Sequence, residues 1–341
     1  MELLIEIGVE ELPAIPFLKE RANIAPKWRA VLEANRINSD FRFEFSPRRF
    51  VLFHEDFPQR GDDAQIVSTG APKSVALKDG AWSPAALSFA KKCGISESEL
   101  EFRQVGGKEV LYHAAVQKGR YSREILGEMI EEFLRSLNFG RTMRWGSGEF
   151  EFIRPIRSIA CVLGGQNVDF EIYGVRSAAA FFPHRKFGYE AIKFKDAADY
   201  FALLERNGVI LSEQKRKDKI LSEFAKLEKK HGFKIEVDPA LLDEVTAITE
   251  YPTALLGSFE RDFLSVPKEV IITSMKENQR YFPVFEGKNL SNHFVVVSNA
   301  ITDDDELVIR GNEKVLRARL SDAMFFWKSD LQAEFSPEKL K

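Results

Sequence analysis

Several chemistries are scarce or missing in this sequence. Only two cysteines occur in 341 residues, Cys93 and Cys161, in unrelated contexts. That argues against a disulfide framework and against a cysteine-based zinc site, and it points to a reducing compartment. The formal net charge is only −3, so no global positive field draws in nucleic acid. Any RNA site has to be a local patch. No apolar run reaches the roughly 18 residues that a membrane span needs. The opening MELLIEIGVEELP carries acidic residues inside its apolar run, which a signal peptide does not. These absences lead us to expect a soluble, cytoplasmic chain with no membrane partner.

Catalytic signatures are equally scarce. Gly106-Gly107-Lys108 is followed by Glu109, so there is no phosphate loop, and no dinucleotide-binding glycine pattern occurs. His54, His113, His184, His231 and His293 are scattered without metal-ligand spacing, so no metal is expected. The Asp303–Glu306 run lacks the glycine and later glutamate of a calcium loop and reads as a helix cap. No nucleophile elbow is present.

What is present suits ordinary folded cores: 44% of residues are hydrophobic, and 29 are Phe. At roughly 100–200 residues per domain, the length implies two or three domains. The start reads as strand, helix, strand, strand: Leu3–Ile7, then Ala14–Asn35 with Pro26 as a possible break, then Phe41–Phe45 and Phe50–Phe53 around Ser46-Pro47. Gly61–Gly80 reads as loop, Pro155–Leu163 as a helix holding Cys161, and Val168–Ile172 as a strand. Asp196, Ser212 and Asp238 are expected to cap helices. The stretch Ile271–Phe285 opens as a helix and closes as a strand, with Pro283 marking an edge position. The expected class is α+β, in two or more mixed α/β domains with antiparallel or mixed sheets. The expected division is 1–148, 149–328, and a polar tail over 329–341.

Local basic and aromatic clusters carry the functional signal. Phosphates need cations on a rigid surface, and unpaired bases need planar partners. The candidates are Arg48 and Arg49 at a strand turn, and Arg141, Arg144 and Trp145 in a loop continued by Arg154 and Arg157. Lys276, Arg280 and Tyr281 form a third group, and Arg310, Lys314 and Arg317 lie at i, i+4, i+7 on the last helix. Each cluster also fits a solvated face, and Glu313–Arg317 fits a helix salt bridge. The Lys215–Lys230 run is partly neutralised by its own glutamates and aspartate.

Several stretches together resemble one family: LLIEIGVEELPAIPFL, FSPRRFVLF, SFAKKCGIS, RTMRWGSGEFEFIRPIRSI, LLDEVTAITEYPTALLGSF, ITSMKENQRYFPVF and GNEKVLRARLSDAMFFW. They resemble the β subunit of the heterotetrameric bacterial glycyl-tRNA synthetase, in the family's order from Glu2 to Trp327. The resemblance implies an α2β2 ligase that joins glycine to tRNA(Gly) with ATP. The α subunit would carry the class II site, ATP and Mg, and this chain no cofactor. It implies binding of tRNA and of the α subunit, not DNA. It also implies a likeness to accessory body and tail domains of archaeal CCA-adding enzymes. The family's β subunit continues into a His-Asp type helical domain and an anticodon-binding domain, so the chain is expected to be an N-terminal fragment. Ser46-Pro47-Arg48-Arg49 stands where Thr-Pro-Arg-Arg is usual, and Pro183–Phe187 where Gly-His-Arg-Phe is usual.

The expected role is therefore a non-catalytic part that binds tRNA and the α subunit. Two rivals are a pure assembly scaffold and an independent hydrolase, the latter without a nucleophile or paired carboxylates to support it.

Overall fold

The computed structural model describes residues 1–78 and 80–332. Residues 333–341 of the expected tail lie outside the described residues. By backbone contacts the chain divides into two compact units. Met1–Trp28, Asp40–Phe57 and Ile130–Lys341 form one, and Arg29–Ser39 with Pro58–Met129 form the other. The class is α+β, and every described strand pair is antiparallel.

The first unit is built on two larger sheets, with two short two-stranded ones beside them. One has five strands in the order Gln166–Asn167, Ile156–Leu163, Leu3–Val9, Arg49–His54, Arg42–Ser46. Leu3–Val9 is central, and all seven of its residues are buried. Covered on both faces, it reads as a continuous apolar run rather than an alternation. Glu6 is the exception, and Arg49 answers it: Arg49 lies opposite Gly8, so it projects on the same face as Glu6. Gly8 packs closely on its other neighbour, since a Cβ there would stand 2.1 Å from Ser158 Oγ and force that side chain to shift.

The second sheet runs Lys234–Ile235, Phe282–Glu286, Asn289–Ser298, Thr253–Ser258. Helix Glu213–His231 and helix Pro239–Ala247 lay Ile220, Phe224, Leu241 and Val245 against Phe282 and Val295. Helix Asp305–Gln332 packs Leu316 and Leu320 against Ile271, Met275 and Phe294. Full burial of each such side chain contributes about 1.5–3 kcal/mol.

The second unit holds a three-stranded sheet, Ala64–Pro72, Lys108–Gln117, Glu101–Val105. Phe89 and Ala86 of helix Pro84–Cys93 cover Leu111 there.

The capping expectations hold. Asp196 accepts from Asp199 N, Ser212 from Lys215 N, and Asp238 from Ala240 N and Leu241 N. Other expectations are corrected. Ile156–Leu163 is a strand, so Cys161 is a buried strand residue; a short buried apolar run has the same composition in either form. Residues 61–80 are not all loop, since Ala64–Pro72 pairs along Lys108–Gln117 despite its small and polar residues. The strand expected over Val168–Ile172 shrinks to Glu171–Ile172. The helix Ala14–Ala34 continues through Pro26, with Ile24 and Trp28 fully buried on either side of it. Pro283 is not at an edge; its strand lies between two others, and an irregularity between Pro283 and Phe285 accommodates the missing N–H.

Candidate nucleic-acid interface

Arg48 and Arg49 leave the β-turn and point inward. Arg49 is 2% exposed. Its guanidinium donates to Glu6 Oε2 at 3.0 Å, Glu250 Oε1 at 3.2 Å, Phe182 O at 2.8 Å and Ser46 Oγ at 3.2 Å. Arg48 donates to Pro183 O at 3.2 Å and Glu250 Oε2 at 3.5 Å. Tyr200 OH donates to Glu6, and Ser46 Oγ donates to Glu250 Oε1 at 2.9 Å. Despite its burial, the Arg49 guanidinium is held more strongly protonated than usual by Glu6 and Glu250. Burial and the phenol's contact with Glu6 push Tyr200 well up. This is a closed buried ion network, and a phosphate would have to displace carboxylates to reach either arginine.

The Lys276 group is also committed. The helix Lys268–Thr273 passes into a wide π-helical turn, Ser274–Gln279, which ends at Arg280 with a left-handed φ of 58°. Lys276 pairs with Glu236, and at 3.6 Å with Asp238. Arg280 Nε donates to Glu244 at 2.8 Å. Tyr281 is 2% exposed, stacks on Phe294 at 4.6 Å, and donates its hydroxyl to Asn312 Oδ1 at 2.7 Å. Burial raises its pKa to about 12. The cations and the ring of this turn are thus engaged by Glu236, Asp238, Glu244 and Asn312, all on other elements.

The loop group has the opposite character. Arg141 and Arg144 are exposed, and among the described residues Arg141 has no ion-pair partner. Arg144 Nε donates to Glu151 at 2.8 Å, in an exposed pair. Water and salt screen an exposed pair of this kind, so a phosphate can compete for the guanidinium. The loop is pinned by mutual bonds between Met143 and Phe152. Trp145 stacks on Tyr173 at 6.3 Å with planes 10° apart, and Phe150 lies against the same ring at 5.4 Å. The cations therefore stand on a loop fixed by an aromatic group.

On the last helix, Arg310, Lys314 and Arg317 are exposed. Arg310 pairs with Glu306 at 3.3 Å, and Arg317 pairs with Glu260 at 2.6 Å. The expected Glu313–Arg317 bridge is absent; Glu313 instead accepts from Ser258 N and Oγ.

One cluster was legible only in fragments. Arg154 donates to Glu11 O at 3.2 Å, Arg157 pairs with Glu10 at 3.1 Å, and Arg185 reaches Glu10 at 3.5 Å and Glu11 at 2.9 Å. Arg157 lies 4.9 Å over the Phe182 ring. Phe187 and Tyr189, close by in sequence, are 50% and 69% exposed. Arg154 and Arg157 were visible as a continuation of the loop cluster, but Arg185, Phe187 and Tyr189 come from a remote segment.

Among the described residues no three His, Cys, Asp or Glu side chains gather as a metal site. No helix among them is long and apolar enough to cross a membrane.

The family model described as "Glycyl-tRNA synthetase beta subunit" matches residues 3–341. The chain is 42% identical to the glycine–tRNA ligase beta subunit of Helicobacter pylori strain HPAG1, over 97% of this chain and 49% of that protein. It is 39% identical to the proteins of the same name in Oceanobacillus iheyensis and in Bacillus subtilis strain 168, over 99% and 96% of this chain and 49% of each relative. The chain spans about half the length of the curated relatives it matches. With a match that runs from the first strand to the last residue, the chain belongs to the glycyl-tRNA synthetase beta subunit family.

Proposed function

We propose that this chain is a non-catalytic part of a glycine–tRNA ligase, one that holds tRNA(Gly) and contacts the α subunit in an α2β2 assembly. Family membership supports the reaction, ATP-dependent glycylation of tRNA. In this reading the class II site, ATP and Mg belong to the α subunit, in the cytoplasm. The finer fold relationship, to the accessory domains of CCA-adding enzymes, belongs to the same proposal, and superposition on those domains tests it.

The observation that carries the tRNA role is the Arg141–Trp145 loop. Two exposed guanidiniums stand there beside rings that fix the backbone. Phosphate binding by such groups releases counterions and makes affinity salt-dependent. Arg310, Lys314 and Arg317 extend the set, because their ion pairs are exposed or absent among the described residues. Arg48, Arg49, Lys276, Arg280 and Tyr281 act in this proposal as supports of the fold, since all are engaged internally. The test is tRNA binding by Arg141→Ala/Arg144→Ala. Affinity that stays unchanged together with an unchanged salt slope sinks the role.

A second reading, an assembly scaffold, is favoured by one feature. Phe325, Phe326 and Leu331 on the last helix are 66%, 63% and 66% exposed. Capture of the α subunit without any tRNA binding decides for it.

A further inference from the structure

A cavity of about 350 Å³ opens beside strand Arg42–Ser46, within the first unit. Its floor is apolar: Phe53, Leu204 and Val209 are buried core residues, and Phe201 stands over them. Its rim is charged, with Arg42, Glu44, Glu205 and Lys215. The volume lies in the range of small-molecule sites, about 300–1,000 Å³.

The local structure explains why the rim sits where it does. Arg42 lies opposite Phe53 and Glu44 opposite Val51 on the hairpin, so all four share one face. The helix Ala197–Arg206 covers that face with Leu204 and Phe201 but leaves the outer strand open. Arg42 is held over Phe53 at 5.0 Å and over Phe201 at 5.8 Å. Glu44 accepts a hydrogen bond from Glu213 N, and burial pushes its carboxyl up.

Two cations and two carboxylates around one cavity would ordinarily collapse into ion pairs. Here, among the described residues, none of the four makes an ion pair within 4.0 Å, although the charges of Arg216 and Arg42 act on Glu44 from further away. Arg42 is placed by two rings and Glu44 by a backbone N–H, while Glu205 and Lys215 are exposed helix residues on the same rim.

The geometry points to a binding site for a zwitterion with an apolar body, specifically a free α-amino acid with a large hydrophobic side chain. Its carboxylate would meet Arg42 and Lys215, its ammonium Glu44 and Glu205, and its side chain the Phe53–Leu204–Val209 floor. Glycine satisfies the rim but leaves the floor empty. The site is therefore separate in chemistry from the glycine that the proposed ligase would use.

The test is calorimetric titration of the full chain with L-phenylalanine, L-leucine, glycine and N-acetyl-L-phenylalanine amide. Saturable binding of the two large amino acids is expected. Glycine and the uncharged amide should each bind at least about tenfold more weakly. Arg42→Ala, Glu205→Gln and Lys215→Ala alter exposed positions, so circular dichroism should show an intact fold. Each should weaken L-phenylalanine by about tenfold. No saturable binding of either large amino acid by the folded chain overturns the inference. So does binding that survives all three variants, or glycine binding as well as phenylalanine.

Discussion

Replacing Arg49 by Met separates the two roles that an arginine at this turn could play. In the structure Arg49 bridges Glu6 and Glu250, and those carboxylates are 1% and 0% exposed. Met fills most of the volume but leaves both acids without that cation. Removing one partner from a buried pair costs about 3–5 kcal/mol, because the remaining charge is stranded. A folded protein has about 5–15 kcal/mol in total, so the variant should fold and be visibly weakened. At a denaturant slope of about 3 kcal/mol per molar urea, the unfolding midpoint should fall by about 1–1.7 M. Tryptophan fluorescence follows it, since Trp28 lies in the same unit, fully buried against Phe133. Joint replacement of the whole network, Glu6→Leu/Arg48→Met/Arg49→Met/Tyr200→Phe/Glu250→Leu, should recover part of the loss, as apolar groups of similar volume often replace buried ions without penalty. A midpoint within about 0.3 M of the parent, with tRNA affinity reduced, refutes the reasoning and restores Arg49 as a phosphate contact.

Further outcomes follow from other sites. Gly8→Ala places a Cβ 2.1 Å from Ser158 Oγ on a central strand and should cost about 1–3 kcal/mol in urea unfolding; Gly8→Ala/Ser158→Ala should recover much of it, and an additive double variant would contradict the clash. Tyr281→Phe loses the bond to Asn312 and should cost about 1 kcal/mol with no change in the salt dependence of tRNA binding. Burial lowers the pKa of His293, so the unfolded chain takes up a proton more readily below its ordinary pKa of 6.5. Stability should therefore be full above pH 6.5 and decline as pH falls from there through the depressed folded-state value, and His293→Gln should remove that decline when urea midpoints are compared above and below pH 6.5. Arg141→Ala/Arg144→Ala should leave the urea midpoint in place, since Arg144 makes only an exposed pair, and should lower the salt slope of tRNA binding by about 1–2.

The parts of the fold set by local chemistry were readable without coordinates. Asp196, Ser212 and Asp238 cap their helices because each side chain reaches an N–H two or three residues on, a relation fixed along the chain. Strand Ile156–Leu163 was not readable, since IRSIACVL suits either a buried helix or a buried strand, and its pairing with Leu3–Val9 lies more than 140 residues away in sequence. The candidate site divides the same way. Charge type and clustering could be read, but a cation's availability depends on remote carboxylates. Arg49 is consumed by Glu6 and Glu250, and Arg280 by Glu244, none of them near in sequence. Arg141 and Arg144 stay outward because their loop is fastened by Trp145, Phe150 and Tyr173 rather than by charge.

The most direct measurement is fluorescence anisotropy of labelled tRNA(Gly) against this chain, alone and with the α subunit, at about 50 and 200 mM salt. The account predicts binding that weakens with salt, and a smaller slope for Arg141→Ala/Arg144→Ala. Binding by the parent that is indifferent to salt, or a variant that matches the parent in affinity and slope, would contradict it.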